Sequence, residues 1–187
     1  MTSAPSPPPD EAALQDAALS YLARYAATEA GLRAVLDRRI ERWARNAEDR
    51  EQVAEQVTAA KQTARAVVAR LAAAGAVSDA AFAESRARSL VRAGRSRRAV
   101  AATLAAKGVD ATVARTVVPD DAETELAAAL VLARKRRIGP FRSRDEADRP
   151  REFGIMARAG FPRSVVEQAL DMDPEAAEEA IRRLRQP

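Results

Sequence analysis

The chain has 187 residues, 47% of them hydrophobic, and a formal net charge of +4, which suits one domain or a short repeat array. It holds 46 Ala and 28 Arg but only three Lys (Lys61, Lys107 and Lys135), and neither His nor Cys. Disulfides, Cys or His zinc sites, Ser–His or Cys–His catalysis and a histidine pH switch are thereby excluded.

The Pro/Ser tract Ser3 to Pro9 has too little apolar content to fold, so residues 1–11 are predicted to form a disordered leader. Met1 to Asp10 has no basic region followed by an apolar one, so it is not read as a secretory signal. No uncharged apolar run approaches the roughly 18 residues that a membrane span needs. A cytoplasmic protein is expected. Beyond the leader the hydrophobic period stays near 3.6, with no alternating strand pattern and no hairpin signal. The expected fold is all-α.

Ten helices can be placed from their stripes. The first carries Leu14, Ala18, Tyr21, Leu22 and Tyr25 on one apolar face. Thr28-Glu29 opens the second, with Leu32, Val35, Leu36, Ile40 and Trp43 inward. A long third carries Val53, Val57, Ala60, Ala64, Val67, Val68 and Leu71, and Gly75 stands where a helix-ending glycine belongs. Ser78-Asp79 caps the fourth, with Phe82, Ala83, Leu90 and Val91 inward and Gly94 closing it. Ser96 opens the fifth, with Val100, Ala101, Leu104 and Ala105 inward up to Lys107-Gly108. Asp110 caps a short sixth through Val113 and Val117, stopped by Pro119. Asp120 or Asp121 starts the seventh, with Leu126, Leu130 and Ala133, which Gly139-Pro140 should end. An eighth spans about Pro150 to Ala159, a ninth Pro162 to Leu170, and Asp173-Pro174-Glu175 opens the tenth.

An internal repeat runs through these elements. Leu104-Ala105-Ala106-Lys107-Gly108-Val109 superimposes on Met156-Ala157-Arg158-Ala159-Gly160-Phe161 at an offset of 52 residues, and Val113 then falls on Val165. Grouping helices in threes gives modules at 12–75, 79–119 and 120–171, followed by a C-terminal helix at 173–187. Such units bury their faces only by stacking, so an elongated, curved helical repeat array is expected. Chance likeness between two Ala-rich helix pairs is the competing explanation.

Charge gathers in two places. From Arg86 to Gly108 stand Arg86, Arg88, Arg92, Arg95, Arg97, Arg98 and Lys107, with no acid among them. Arg86 falls inside the apolar arc of its helix, where it must snorkel or serve a partner. Arg95-Ser96-Arg97-Arg98 lies at a loop-to-helix junction, where amide and guanidinium groups could together hold a phosphate. A solvated face neutralised by acids elsewhere is the plainer alternative. The second cluster is Arg134, Lys135, Arg136 and Arg137, then Arg142 and Arg144, with Asp145, Glu146 and Asp148 following. A helix dipole explains one or two of those four consecutive cations, not all. The few aromatics lie mostly on apolar stripes, Phe141 excepted, so any DNA contact should be led by phosphates and tolerant of sequence.

The chain resembles the RecX family of regulators of the RecA recombinase. The resemblance is carried by Ala18-Leu19-Ser20-Tyr21-Leu22-Ala23-Arg24 and by Gly75 to Glu84, with its Asp79-x-x-Phe82-Ala83 element. It continues through Gly94-Arg95-Ser96-Arg97-Arg98, Leu104 to Val109, and Ala159-Gly160-Phe161 to Leu170. It implies three tandem three-helix modules and a non-enzymatic regulator without cofactor. It further implies a monomer bound in the groove of the RecA–DNA filament, touching recombinase and single- or double-stranded DNA and restraining ATP hydrolysis and strand exchange. The expected contacts are Arg88, Arg92, Arg95, Arg97, Arg98, Lys107, Arg134, Lys135, Arg136, Arg137 and Arg142. Four features depart from the family pattern: Arg39-Ile40 in place of a Lys-Gly ending, the stretch Trp43 to Lys61, the insert of about Gly139 to Arg149, and the tenth helix that follows module three. A helical-repeat adaptor for an acidic protein, binding no nucleic acid, is the alternative function.

Overall fold

In the computed structural model, residues 7–47, 50–142 and 148–186 are described, the side chains of 50 and 51 excepted. Leader residues 1–6, and Arg144, Asp145 and Glu146 of the insert, lie outside them. The described residues form ten α-helices and no strand: α1 Glu11–Leu22, α2 Glu29–Arg45, α3 Arg50–Ala73, α4 Asp79–Arg92 and α5 Arg97–Ala106. They continue as α6 Ala111–Val117, α7 Ala122–Arg136, α8 Arg149–Arg158, α9 Arg163–Asp171 and α10 Pro174–Arg185. The chain is all-α, as its periodicity requires.

Most starts follow the local code. The side chains of Asp10, Thr28, Asp110, Asp121, Asp148 and Asp173 each accept a hydrogen bond from a first-turn amide of the helix they precede. Ser78 does the same for α4 through the Ala81 N–H, at 3.2 Å. Four details differ from expectation. Tyr25 lies beyond the end of α1 and is 55% exposed, its ring tilted against Tyr21 with centroids 5.1 Å apart. Ala105 is exposed, because Val100 and Leu104 alone suffice to bury the face of so short a helix. Arg86 is exposed too, since α4 buries the narrower row Ala83, Ala87 and Val91. Finally, α7 ends at Arg136, capped by Arg137, rather than at Gly139-Pro140, which instead begin a 3-10 turn, Gly139–Phe141.

The chain divides into two compact units: residues 1–82 with 107–109, and 83–106 with 110–187. In the first, α1 and α2 pack on α3, and Leu14, Leu32, Leu36, Ile40, Ala64 and Val67 are almost wholly buried. In the second, α7 is the spine, packed by α8, α9, α10 and the 3-10 turn. Its residues Leu126 to Val131, and Ala133, are all buried. A helix hydrophobic on nearly every side has to be central.

Each unit contains the same polar joint. In the first, the buried Thr28 hydroxyl accepts the Gly31 N–H at 2.9 Å and donates to the Lys107 carbonyl at 2.7 Å. The Glu29 N–H donates to Asp79 Oδ1 at 2.8 Å. In the second, the fully buried Ser96 hydroxyl accepts the Ala99 N–H at 3.2 Å and donates to the Ala159 carbonyl at 2.7 Å. The Arg97 N–H donates to Glu125 Oε2 at 2.9 Å. Lys107 and Ala159 are the residues that the internal repeat superimposes. Each is followed by a left-handed glycine, Gly108 at φ 79° and Gly160 at φ 92°. A Cβ at Gly160 would stand 2.8 Å from Ser96 Oγ, and one at Gly108 would collide with the Ala30 methyl. Both joints therefore need glycine for space as well as for dihedral angle.

Ser96→Ala strips the α5 cap and leaves a carbonyl without its hydroxyl donor, so a loss of about 1–3 kcal/mol is expected. Thr28→Ala should behave alike and Thr28→Ser should stay near wild type, as read by urea denaturation.

Candidate nucleic-acid interface

The two basic clusters of the sequence meet in space, within the second unit. The turn that closes α4 lies against α7: a Cβ on Gly94 would come within 2.9 Å of Val131 Cγ1 and of the Leu132 amide nitrogen. One turn further along α7, Lys135 Nζ donates to the Ala93 carbonyl at 2.6 Å. Ala93 is flanked by Arg92 and Arg95, and Lys135 is followed by Arg136 and Arg137, all four arginines exposed. Neither cluster announces the other in the sequence, because the bond that joins them spans 42 residues and ends on a main-chain oxygen.

The remaining candidate cations separate by their partners. Arg88 is exposed, 3.8 Å from Glu84 one turn earlier, and Arg134 pairs with Glu178 at 3.0 Å. The Arg97 guanidinium pairs with Asp120. Arg142 is half-buried and holds the buried Glu152 through Nε at 3.3 Å and Nη2 at 2.9 Å. That carboxylate also accepts the Gly139 N–H at 3.2 Å, so Arg142 serves to fix the turn after α7. Arg92, Arg95, Arg98, Arg136 and Arg137 form no ion pair or hydrogen bond through their side chains among the described residues. Lys107 is likewise exposed and unpaired, in the first unit. Sequence reasoning missed Glu125, Glu152 and Glu178, whose partners lie 10 to 44 residues away.

The junction at Ser96 works differently from expectation. Its hydroxyl is committed to Ala159, and the first amide of α5 already holds an anion, the Glu125 carboxylate. A phosphate would find that helix N-terminus occupied. Around it lies a cleft of about 660 Å³ whose lining includes Arg97, Asp120, Asp121, Glu125, Phe161 and Val165, a mixed-charge surface rather than an anion pocket.

Arg137 stands apart. It holds a left-handed backbone, φ 54°, the only such non-glycine residue among those described. Its N–H bonds to the Arg134 carbonyl and that of Ile138 to the Ala133 carbonyl, closing α7 in a Schellman turn. The equivalent position after α3, α4 and α8 is Gly75, Gly94 or Gly160. An arginine there costs about 1 kcal/mol relative to glycine, while its side chain reaches only solvent. Stability does not account for it.

Among the described residues no group of His, Cys, Asp or Glu could hold a metal ion, and no helix is long and apolar enough to cross a membrane. The chain is 38% identical over 168 residues to the "Regulatory protein RecX" of Myxococcus xanthus (strain DK1622), an alignment covering 86% of both proteins. It belongs to the RecX family. A second relative of the same name, from Agrobacterium fabrum (strain C58 / ATCC 33970), is 33% identical over 108 residues, 57% of this chain and 58% of the relative. The family model described as "RecX, second three-helix domain" matches residues 78–118, the stretch that holds α4, α5 and α6. No solved structure matches the chain. The RecX relatives are named as regulatory proteins, not as enzymes.

Two expectations follow. Arg137→Gly relieves the left-handed backbone and should raise stability by about 0.5–1 kcal/mol in urea denaturation. Burial, the larger influence, pushes the Glu125 carboxyl above its usual range, against the pull of the Arg97 amide and guanidinium. A raised native value means the folded state favours the protonated form. Its contribution to stability is present below about pH 4.3 and lost as pH rises through the raised value. Relative to Glu125→Gln, wild type should therefore lose stability on going from about pH 4 to about pH 7. Equal pH profiles of the two denaturation midpoints would refute the assignment.

Proposed function

We propose that this chain is a non-enzymatic cytoplasmic regulator of the RecA recombinase, acting as a monomer on the RecA–DNA filament. It binds along the groove of the filament, touches both recombinase and DNA, and inhibits strand exchange and ATP hydrolysis. Membership of the RecX family, on a match covering 86% of the chain, is the observation that carries this reading. The same reading takes three tandem modules, at 12–75, 79–119 and 120–171, with a C-terminal helix at 173–187. The recurrence of the Thr28 and Ser96 joints supports that division.

The DNA-facing surface we assign to the merged cluster. Arg92, Arg95, Arg136 and Arg137 lead it, with Lys135 beneath them and Arg98 on α5. Arg88, Arg97 and Arg134 add to the field while paired within the chain, and Arg142 positions the turn. Exposed guanidinium groups without partners repel one another, and a polyanion removes that cost. Such contacts do not read base sequence. Each is modest, and affinity accumulates over several.

Substoichiometric protein added to RecA on DNA should lower both ATP hydrolysis and strand exchange; no change in either sinks the proposal. Binding to duplex DNA should weaken with salt at a slope of about −4 in log units, from four to five phosphates at roughly 0.9 each. Arg136→Glu with Arg137→Glu should flatten that slope by about two. Loss of recombinase binding by this variant with DNA affinity intact would instead favour the adaptor for an acidic protein.

A further inference from the structure

A third basic surface lies in the first unit, on α2, outside the clusters already described. Leu32, Leu36 and Ile40 point into the core. At about 100° per residue, Arg39, Arg42, Arg38 and Arg45 then follow one another along one flank within about 120°. Of the acids of the same helix, Asp37 and Glu41 fall on the other flank, where Glu41 bonds Lys61 at 2.8 Å and Asp37 faces the same ammonium. Arg33 stands on the side of these acids, and Arg38 and Arg45, on the outermost face, lie close enough to Glu41 to help hold its carboxyl below the usual range, so Arg39 and Arg42 are the members of the row farthest from acids of the same helix. All four arginines are exposed, and none forms an ion pair among the described residues. Arg42 and Arg45 stand in the last turn, where the helix dipole favours them. Arg38 and Arg39 lie a turn earlier, and like charges spaced three and four apart destabilise a helix. The row is kept against a cost.

Beside this row stands an aromatic ring. Trp43, the sole tryptophan of the chain, is half-buried and lines an open cleft of about 490 Å³ with Arg39, Arg42, Asn46, Pro9 and Asp10, the one acid of the lining, which accepts the Ala13 N–H at 2.8 Å. Its place on the inward edge of α2 makes it look like core from sequence alone. Its ring instead borders a solvent-accessible trough whose wall carries two guanidinium groups. A flat ring flanked by unpaired cations is the chemistry of a single-strand reader: cations follow phosphates and the ring takes a base. A protein carboxylate surface would use the cations but has no need of the ring.

We infer that the Trp43, Arg39 and Arg42 surface of the first unit binds single-stranded DNA, phosphates on the arginines and a base against Trp43. This rests on the reading above only in choosing DNA as the polyanion; it adds a second contact site, in the other unit. The test is tryptophan fluorescence of the full chain, excited at the red edge where Tyr21 and Tyr25 do not absorb so that it reports Trp43 alone, titrated with an oligothymidylate while anisotropy of a labelled strand follows total binding. Saturable quenching is expected. Arg39→Glu with Arg42→Glu should weaken it about tenfold or more with an unchanged circular dichroism spectrum, whereas Arg39→Lys with Arg42→Lys should retain most of it. Arg92→Glu with Arg95→Glu, in the second unit, should leave the quenching in place. If anisotropy shows a complex while Trp43 emission stays constant in wild type, this site is overturned and the DNA contact of the second unit stands. Quenching by polyglutamate as strong as by the oligonucleotide also overturns it, in favour of an acidic protein. Absence of any complex with the oligonucleotide overturns both.

Discussion

A hydroxyl that caps one helix and at the same time bonds the carbonyl just past the end of another is the constraint on which the arrangement of this chain turns. Thr28 and Ser96 each do both. Helix starts leave amides unpaired and helix ends leave carbonyls unpaired. One buried oxygen answers a need of each kind, so the two ends must meet at hydrogen-bond distance. An apolar contact tolerates sliding by an ångström, while a hydroxyl–carbonyl bond does not. The left-handed glycine after the carbonyl removes the Cβ that would hold the ends apart. A carboxylate from elsewhere in the same unit, Asp79 or Glu125, then takes the next amide. In so Ala-rich a chain, where buried methyl groups carry little shape, these polar joints set position.

This also explains what could be read in advance. Helix starts are written locally: Asp10, Thr28, Ser78, Asp110, Asp121 and Asp173 act on amides two or three residues away, and the sequence announces almost all of them. Buried rows such as Leu32, Leu36 and Ile40 follow from period alone. What stayed hidden is long-range and polar. No spacing rule connects Lys135 to the carbonyl of Ala93, Arg142 to Glu152, or Arg97 to Glu125 and Asp120. Gly139-Pro140 misled because the pair is a strong stop signal, yet the helix had already closed on Arg137, whose side chain gives no hint of a left-handed backbone.

The candidate interface was accordingly half legible. Clusters of arginine are visible in sequence, but whether a guanidinium is available depends on acids that folding brings to it. Arg97, Arg134 and Arg142 look the same on paper as Arg95, Arg136 and Arg137, and only the first three acquire carboxylate partners. Such pairs, where exposed, add little to stability; their effect is to subtract charge from some positions and leave it at others. The mild total of +4 is thus the sum of neutralised surfaces and a few concentrated ones.

The burial of α7 completes this logic. From Leu126 to Val131 every residue is buried, so the helix cannot rotate or shift without exposing apolar surface. Its C-terminal cations therefore project from a fixed base, and Lys135 is tethered further to the end of α4. Charges held in place before binding lose less conformational freedom on meeting a polyanion than the same charges on a loose tail. The Arg137 backbone fits the same scheme: a glycine would close the helix at lower cost, but would leave the cluster one cation short at its outer edge. Placement of charge, rather than its amount, is what the rigid Ala-rich spine supplies.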